Sequence, residues 1–465
     1  MRVLLIQPTP NVRPIGFDLA ILPEPLGLEV VAASIPEHEV EIVDLRLEPD
    51  LHSALNRFAP DVVAITALTT DVYAAQDILK RVKGFSEEIF TVVGGLHATL
   101  MPEDFQQSYV DVICLGDGEI IFPLLMEKLT GLQWTGSVLG EVSNLIWRDG
   151  VTFVRNSRVY ERPGSGVDAI PMPRRDLIDR YRPHYHFYSN HMMMLSTGRG
   201  CPSRCNFCSV WQFYGGFVRQ LSARRVVDEL QLLDSHHIGI VDDNFLINRK
   251  RDDEIADLIK AEGLEHHYLA QCRSDCIVRH RDLVEKWVGI GLGGILLGLE
   301  GASDEMLQLV NKRSDVVTND RAIKILRDLD VIIWAAFIID PQWSVEDFDR
   351  LEEYILRHQL TPVQYTVLTP LPGTDLYIER YDELLTHDYR CYDTMHSVLP
   401  TKLPREEFYR QFARLQNIRQ IGKWQEWLGA GKVTMDTLRC GSEVAKKLGD
   451  WELYTKYDPV LGGFI

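Results

Sequence analysis

Three of the chain's eight cysteines lie close together, directly after an apolar segment: Cys201, Cys205 and Cys208 form the pattern C-x3-C-x2-C. Soft thiolates at such spacing suit zinc or an iron–sulfur cluster. A structural zinc site needs four closed ligands, but no fourth Cys or His lies close by, and Cys272 and Cys276 are distant in sequence. Three thiolates would leave one iron of a cubane cluster open. The spacing therefore favours a cluster, with zinc or simple burial of the thiols as alternatives.

Polar side chains follow the later apolar segments of the same half of the chain. Asp242, Asp243 and Asn244 end the segment IGIVDDN, Arg273 follows HYLAQC, and Glu300 ends GILLGLE. If these segments are neighbouring parallel strands, their carboxyl ends meet at one edge, where barrel enzymes place their chemistry. The alternatives are a turn or helix cap for the Asp-Asp-Asn group and a solvated loop charge for Glu300.

Small residues follow three apolar segments in the first third of the chain, at positions 66–68, 94–95 and 116–119. Small residues at strand ends allow the backbone to approach a bulky ligand. This pattern predicts a ligand site at the carboxyl edge of a parallel sheet, and on its own a nucleotide would fit as well.

The elements that must position these residues form four regions. In residues 1–135, short apolar runs alternate with helical stretches at 51–59 and 74–82, which predicts a doubly wound parallel sheet. Residues 136–190 predict a hairpin turning at Asp149-Gly150, followed by a linker rich in Gly and Pro. Six further strand–helix units in residues 191–385 predict a partial parallel barrel, and residues 386–465 are predicted to be mostly helical. The fold class is therefore α/β, with a helical C-terminal region.

The composition is that of an ordinary globular protein, with 45% hydrophobic residues and a formal net charge of −18. Such an acidic chain argues against a partner that is a nucleic acid. The N-terminal residues do not resemble a signal peptide, and the apolar run at 331–339 is too short to span a membrane. Eight cysteines are too few for a disulfide scaffold, so we expect a cytoplasmic protein with reduced thiols.

The cysteine pattern, with Phe207 before its last cysteine and a strand–helix series after it, resembles the signature of the radical S-adenosylmethionine (SAM) superfamily. This resemblance implies that Cys201, Cys205 and Cys208 hold a [4Fe–4S] cluster whose fourth iron is chelated by SAM. It further implies a set of SAM-binding residues at the cysteine loop and the strand ends, namely Phe207, Asp242, Asp243, Asn244, Arg273 and Glu300.

The N-terminal region resembles the cobalamin-binding branch of the same superfamily, through its Thr-Ala-Leu and Gly-Gly elements and through the segments PEPLGLEVVAASI, VVGGLHATLMPEDF and CLGDGEIIF. The resemblance spans residues 1 to about 410. The D-x-H-x-x-G element, whose His ligates cobalt in other cobalamin proteins, is missing. The implied cobalamin is therefore base-off, without a protein His ligand. The implied contacts are Thr66, Leu68, Thr69, Thr70, Gly94, Gly95, His97, Gly116, Gly118 and Glu119, with an exposed loop position as the alternative for His97.

The combination of the two cofactors implies a C-methyltransferase acting on an unactivated carbon of a large apolar metabolite, such as a hopanoid or a tetrapyrrole. Such an enzyme uses one SAM as the methyl source and a second as the radical source, and it needs an electron donor such as flavodoxin or ferredoxin. The alternative is a cobalamin-dependent cyclase or rearranging enzyme without net methyl transfer. The C-terminal segment resembles the hopanoid and bacteriochlorophyll branch. Four of its residues, Tyr389, Tyr392, Met395 and His396, are expected to wall the substrate site, unless they form only a packed cap.

Overall fold

The structure is a computed structural model that describes residues 1–9, 20–130, 136–162, 164, 167–188, 190–418, 421–456 and 458. The first half contains β1 (Arg2–Gln7), β2 (Ile21–Leu22), α1 (Leu26–Ala33), β3 (Glu39–Asp44), α2 (Leu51–Phe58), β4 (Val62–Thr66), α3 (Val72–Phe85), β5 (Phe90–Gly94), α4 (Leu96–Leu100), β6 (Val112–Cys114), α5 (Gly118–Thr130), α6 (Gly136–Leu139), β7 (Leu145–Asp149) and β8 (Thr152–Arg155).

The first sheet has the strand order β3-β1-β4-β5-β6-β7-β8, and its first five strands are parallel. Strand β1 shows why its sequence is a continuous apolar run. Leu4 and Ile6 pack into the core on one face of the sheet, whereas Val3 and Leu5 pack into the core on the other face. Burial on both faces is typical of a parallel sheet with helices on either side. The predicted doubly wound fold is confirmed.

The predicted hairpin forms, but it belongs to the first sheet. Strands β7 and β8 pair antiparallel with each other, and β7 pairs antiparallel with β6, so that Trp147 lies opposite Val112. The sheet therefore continues to Arg155, past the expected boundary at residue 135, because β6 offers an unpaired edge that the hairpin covers.

The second half begins with β9 (His186–Phe187) and β10 (Met192–Leu195). It continues with β11 (Gly198–Arg199), α7 (Val210–Phe213), β12 (Arg219–Gln220), α8 (Ala223–Leu230), β13 (His237–Ile240), α9 (Arg249–Glu262), β14 (His267–Arg273), α10 (Ser274–Arg279), α11 (Arg281–Val288), β15 (Leu292–Glu300), α12 (Asp304–Leu309), α13 (Val316–Asp328), β16 (Ile332–Ile339), α14 (Val345–Arg357) and β17 (Val363–Val367).

Six of these strands form the predicted partial barrel, a parallel sheet with the order β10-β13-β14-β15-β16-β17. Alternate residues of β16 point to opposite faces of the sheet. Ile333, Ala335 and Phe337 pack against the outer helices, whereas Ile338 packs inside with Leu368 from the loop after β17. Strands β10 and β17 are the two edges of this sheet, so the barrel is open between them.

The C-terminal region contains α15 (Asp375–Glu379), α16 (Arg405–Gln416), α17 (Ile421–Gly429), α18 (Met435–Leu448) and α19 (Trp451–Lys456). Helices α16, α18 and α19 contribute to the barrel core through residues such as Phe412, Val444 and Tyr454. The mostly helical prediction is confirmed for the described residues between Arg405 and Lys456. No helix in the described ranges combines the length and the apolar character that a membrane crossing requires.

A buried ion-pair network joins the two halves. The Arg175 guanidinium lies 2.6 Å from Glu24 and 2.9 Å from Glu229, and it donates to the Met194 carbonyl oxygen of β10 at 2.7 Å. The Glu29 carboxyl group of α1 lies 3.7 Å from the Arg175 guanidinium. Burial, reinforced by the nearby Glu24, raises the pKa of Glu29 to about 8. One cation therefore compensates several buried carboxyl groups from both halves.

We predict that Arg175→Met lowers the free energy of unfolding by about 3–5 kcal/mol, because the buried Glu24 and Glu29 lose their ion-pair partner. The neighbouring substitution Arg174→Met is the matched control. Arg174 pairs with Asp176 at the surface, where both side chains are more than 40% exposed, so its loss should cost less than about 1 kcal/mol. Urea titration followed by circular dichroism measures both. Equal destabilisation by the two variants would contradict this role of Arg175.

Candidate active site

The three cysteines lie on the loop between β11 and α7, at the carboxyl end of the first barrel strand. The Cys205 side chain is buried, and the loop folds back so that the Cys208 amide donates to the Cys205 carbonyl oxygen at 3.2 Å. The Trp211 indole donates to the same oxygen at 3.2 Å. Burial raises the pKa of the Cys205 thiol and raises the pKa of Cys208 to about 12. Thiolates here need a compensating positive charge.

Two cations supply that charge. The Arg273 guanidinium lies 3.6 Å from the Cys205 sulfur, and Lys312 and Arg273 oppose the effect of burial on the pKa of this thiol. Arg273 is itself fixed, because it donates to the Lys312 carbonyl oxygen at 2.7 Å and to Asp275 at 2.9 Å.

The donor set of three thiols beside two cations fits an anionic iron–sulfur cluster by its chemistry. Across the described ranges, no three His, Cys, Asp or Glu side chains are grouped to hold one metal ion. This does not conflict with a cluster, because each thiolate of a cubane binds a different iron.

Asp242 lies at the predicted strand end, but its carboxylate faces the chain's own backbone. It accepts hydrogen bonds from the Thr197 amide at 2.6 Å, the Thr197 hydroxyl at 2.5 Å and the Gly198 amide at 3.0 Å. Burial raises its pKa to about 6 despite these donors. The expectation that Asp242 binds SAM is therefore corrected, because its oxygens hold the segment that leads into the cysteine loop.

The expectation that Asn244 binds SAM is also corrected, because its side chain positions neighbouring residues. It is buried, accepts from the Arg273 amide at 3.0 Å and directs its amide group to the Cys276 sulfur at 3.5 Å. Asp243 differs from both neighbours. It accepts from the Gly200 amide at 2.7 Å and also lines the cavity described below.

Glu300 and Phe207 lie at the same end of the barrel. Glu300 pairs with Lys312 at 2.6 Å, where the register of β15 against β16 shifts between Gly298 and Glu300. Phe207 packs against a cluster that contains Met306. The structure thus brings Phe207, Arg273 and Glu300 to one rim with the cysteine loop, and their binding of SAM stays a prediction.

A cavity of about 570 Å³ separates the carboxyl edge of the first sheet from the rim of the barrel. Its barrel side includes Ser196, Arg199, Tyr214 and Asp243. Its other side contains seven of the ten residues predicted to contact cobalamin, which are Thr66, Leu68, Gly94, Gly95, Gly116, Gly118 and Glu119. The strand-end residues predicted from sequence therefore surround one space that also faces the barrel.

Three of the ten, Thr69, Thr70 and His97, are not on this wall. His97 is 1% exposed, and its two ring nitrogens lie 3.1 Å from the Thr69 hydroxyl and 2.9 Å from Asp104. Neither an exposed loop position nor a cobalamin contact fits this ring, so both expectations for His97 are wrong. From the loop after β4, Leu68 faces the cavity, and its side chain is 49% exposed.

Four charged side chains join the two halves. Arg199, Asp117 and Glu119 line the cavity, and Arg219 reaches it only through Asp117. The sequence interpretation named only Glu119 as a site residue. Arg199 pairs with Glu119 and, at 3.2 Å, with Asp117. Arg219 pairs with Asp117 at 2.5 Å. The opposite charges of GDGE and of Arg199, two residues before Cys201, were visible in the sequence, but nothing there showed that they meet.

The four C-terminal residues expected to wall a substrate site are packed instead. Tyr389 and Tyr392 lie in the core of the N-terminal half, and Met395 lies in the barrel core. His396 is fully buried, with its Nδ1 2.9 Å from Asp393. Tyr389 also donates to Asp104 at 2.7 Å. The expectation that these side chains wall an open site is therefore wrong, because they fasten the C-terminal segment to both halves.

The two adjacent glycines of the first sheet give a matched test of the cavity. A Cβ at Gly94 would only touch Cys114, at 3.8 Å, whereas a Cβ at Gly95 would lie 2.6 Å from Thr66 Oγ1, and the φ of Gly95 is +96°. We predict that Gly94→Leu leaves the fold intact but abolishes cobalamin retention, because the side chain enters the ligand space. Gly95→Ala should instead destabilise the loop itself. The cobalamin absorbance of purified protein and its thermal midpoint are the measurements. Full cobalamin content in folded Gly94→Leu would contradict the assignment.

Comparison with known proteins agrees with this arrangement. Residues 13–126 match the B12 binding domain family, and residues 195–355 match the radical SAM superfamily. The two matches cover the two sides of the cavity.

The chain is 31% identical over 429 residues to the hopanoid C-3 methylase of Methylococcus capsulatus, covering 90% of this chain and 80% of the relative. It is 29% identical over 381 residues to the anaerobic magnesium-protoporphyrin IX monomethyl ester cyclase of Cereibacter sphaeroides, covering 78% of this chain and 61% of that protein.

Among solved structures, the fold is similar to TsrM from Kitasatospora setae, a radical SAM methyltransferase solved with cobalamin and a [4Fe–4S] cluster. The TM-score is 0.65 at 18% identity, covering 83% of this chain and 75% of that one. Together with the hopanoid methylase similarity across most of both chains, these findings show that the chain belongs to the cobalamin-binding branch of the radical SAM enzymes.

Proposed function

We propose that the protein methylates an unactivated carbon of a large, mainly apolar metabolite such as a hopanoid or a tetrapyrrole. One observation carries the proposal: a single cavity has the strand ends of the B12 binding domain on one side and the approach to the cysteine loop on the other. The 31% identity to a hopanoid methylase supports the same reaction class.

We further propose the cofactors and their residues. Cys201, Cys205 and Cys208 hold a [4Fe–4S] cluster, SAM binds beside it near Phe207, Arg273 and Glu300, and cobalamin occupies the cavity. Cobalamin is base-off without a protein His ligand. Support comes from Leu68, an apolar side chain that the loop after β4 directs into the cavity, and from His97, whose two ring nitrogens are bonded elsewhere.

When bound, the cofactors supply a radical that abstracts hydrogen and a methyl group that replaces it. The chain's own contribution is placement. Asp242 and Asp243 fix the backbone before the cysteine loop, and Arg199 ties that backbone to the cavity's opposite wall. Such fixed geometry lets the reacting groups meet without reorganisation.

The remaining partners are proposed on chemical grounds. A formal charge of −18 disfavours a nucleic-acid substrate and is compatible with a small apolar molecule. Eight cysteines in 465 residues are too few for a disulfide scaffold, which supports a reducing, cytoplasmic setting. A reduced protein such as flavodoxin or ferredoxin would supply the electrons that SAM cleavage needs.

A second candidate function is cyclisation or rearrangement without net methyl transfer. The similarity to the magnesium-protoporphyrin cyclase favours it, because that similarity spans 78% of this chain.

Isotope transfer distinguishes the two functions. Reduced, anaerobically purified enzyme is incubated with methyl-deuterated SAM and an apolar extract from cells that lack the gene. We predict one S-adenosylhomocysteine and one 5′-deoxyadenosine per product, with a deuterated methyl group in the product. The variant with alanine at all three cysteines should lose iron, sulfide and 5′-deoxyadenosine formation. A product without added carbon and without S-adenosylhomocysteine would instead establish the cyclase.

A further inference from the structure

A second cavity, of about 350 Å³, lies at the other end of the barrel. Its walls include Trp334, near the start of β16, and residues 361–365, at the start of β17. The cysteine loop follows the carboxyl end of β10, whereas this cavity lies at the amino ends of the last two strands. Because β17 is an edge of the open barrel, the C-terminal helices α16, α17 and α18 close the space from outside.

The wall is mainly apolar and aromatic, but it carries two buried donors without a partner. Trp334 is 7% exposed and Gln416 is 8% exposed. In the described structure, Trp334 Nε1 and Gln416 Nε2 make no hydrogen bond. Buried indole N–H groups usually find an acceptor, and an unmade bond of this kind is costly. By contrast, the Trp424 indole on the same wall donates to the Thr361 hydroxyl at 3.1 Å.

A glycine keeps part of this space open. Gly441 lies inside helix α18 and has no left-handed backbone angle that would require glycine. Glycine within a helix is about 1 kcal/mol less favourable than alanine. A Cβ at this position would lie 3.6 Å from the Tyr188 ring and 3.9 Å from Trp424, at ordinary contact distance. A larger side chain would therefore enter the cavity between these two rings.

We propose that this cavity is a ligand site separate from the cofactor sites. Its ligand is a neutral, mainly apolar small molecule whose carbonyl or hydroxyl oxygen accepts hydrogen bonds from Trp334 and Gln416. The volume is in the range of pockets that bind small molecules, and an apolar wall with a few placed polar groups is typical of them. None of the wall residues that the structure describes is charged, so the two N–H donors without a partner favour a neutral acceptor over a cation or an anion.

Photolabelling of the full-length holoenzyme with benzophenone tests the site, since this two-ring ketone combines an apolar body with one acceptor oxygen. Diphenylmethane, which lacks the oxygen, is the matched competitor. We expect crosslinks on the cavity wall, at residues such as Leu415 and Val444. Trp334→Phe and Gln416→Met should each weaken benzophenone binding about fivefold or more, because each removes one donor, and should change diphenylmethane binding less than about twofold.

Gly441→Leu should abolish the crosslinks. Gly84→Leu is its control, because Gly84 also lies in a helix but a Cβ there would meet no atom within 4 Å. If Gly441→Leu fails to fold, Gly441→Ala and the two donor variants decide the test.

Scattered or absent crosslinks would overturn the proposal. So would crosslinks that persist unchanged in folded Gly441→Leu. A higher thermal midpoint for Gly441→Leu, without any labelling of the wild type, would show a cavity that holds only water.

Discussion

The ion pairs of Arg199 and Arg219 with Asp117 and Glu119 are the interaction on which the site depends. The two arginines lie on the paired strands β11 and β12, beside the barrel, and the two acids lie on the loop and first turn after β6. Cys201 follows Arg199 by two residues, so the segment that contacts the first domain also leads into the cysteine loop. These charges have little exposure, and breaking one partner of a buried pair is far more costly than losing a surface pair. The cluster therefore fixes the relative position of the two walls of the cavity.

The same segment is held from its other side. Asp242 accepts hydrogen bonds from Thr197 and Gly198, and Asp243 accepts one from Gly200. Residues 197–200 are thus bound on one side by the loop after the second barrel strand and on the other side by the first domain. These polar contacts connect the loop after β6 with the start of the cysteine loop. Opposite them, Arg273 and Lys312 provide the positive charge that buried thiolates require.

The sequence was sufficient where a single segment decides the structure. Continuous apolar runs identified the parallel strands, because burial on both faces leaves no alternation. The paired glycines correctly predicted a cavity at the strand ends of the first sheet. The sequence was insufficient where contacts between two distant segments determine the position of a side chain. Asp242 is at the predicted strand end, yet only the fold shows that its carboxylate faces the backbone of Thr197 and not a ligand. Likewise, His97 and Tyr389 are separated by almost 300 positions but share Asp104 as a partner, which no local pattern could reveal.

The central claim is that the Arg199–Glu119 pair couples the two halves of the site, and a double-mutant cycle on cobalamin affinity tests it most directly. Arg199→Met, Glu119→Gln and the double variant are compared in the full-length protein, with iron and sulfide content measured in the same samples. If the pair couples the halves, Arg199→Met weakens cobalamin binding about tenfold or more, because Glu119 is left buried and unpaired, and the double variant recovers much of that loss. Losses that simply add, or an Arg199→Met variant that binds cobalamin as tightly as the wild type, would contradict the claim.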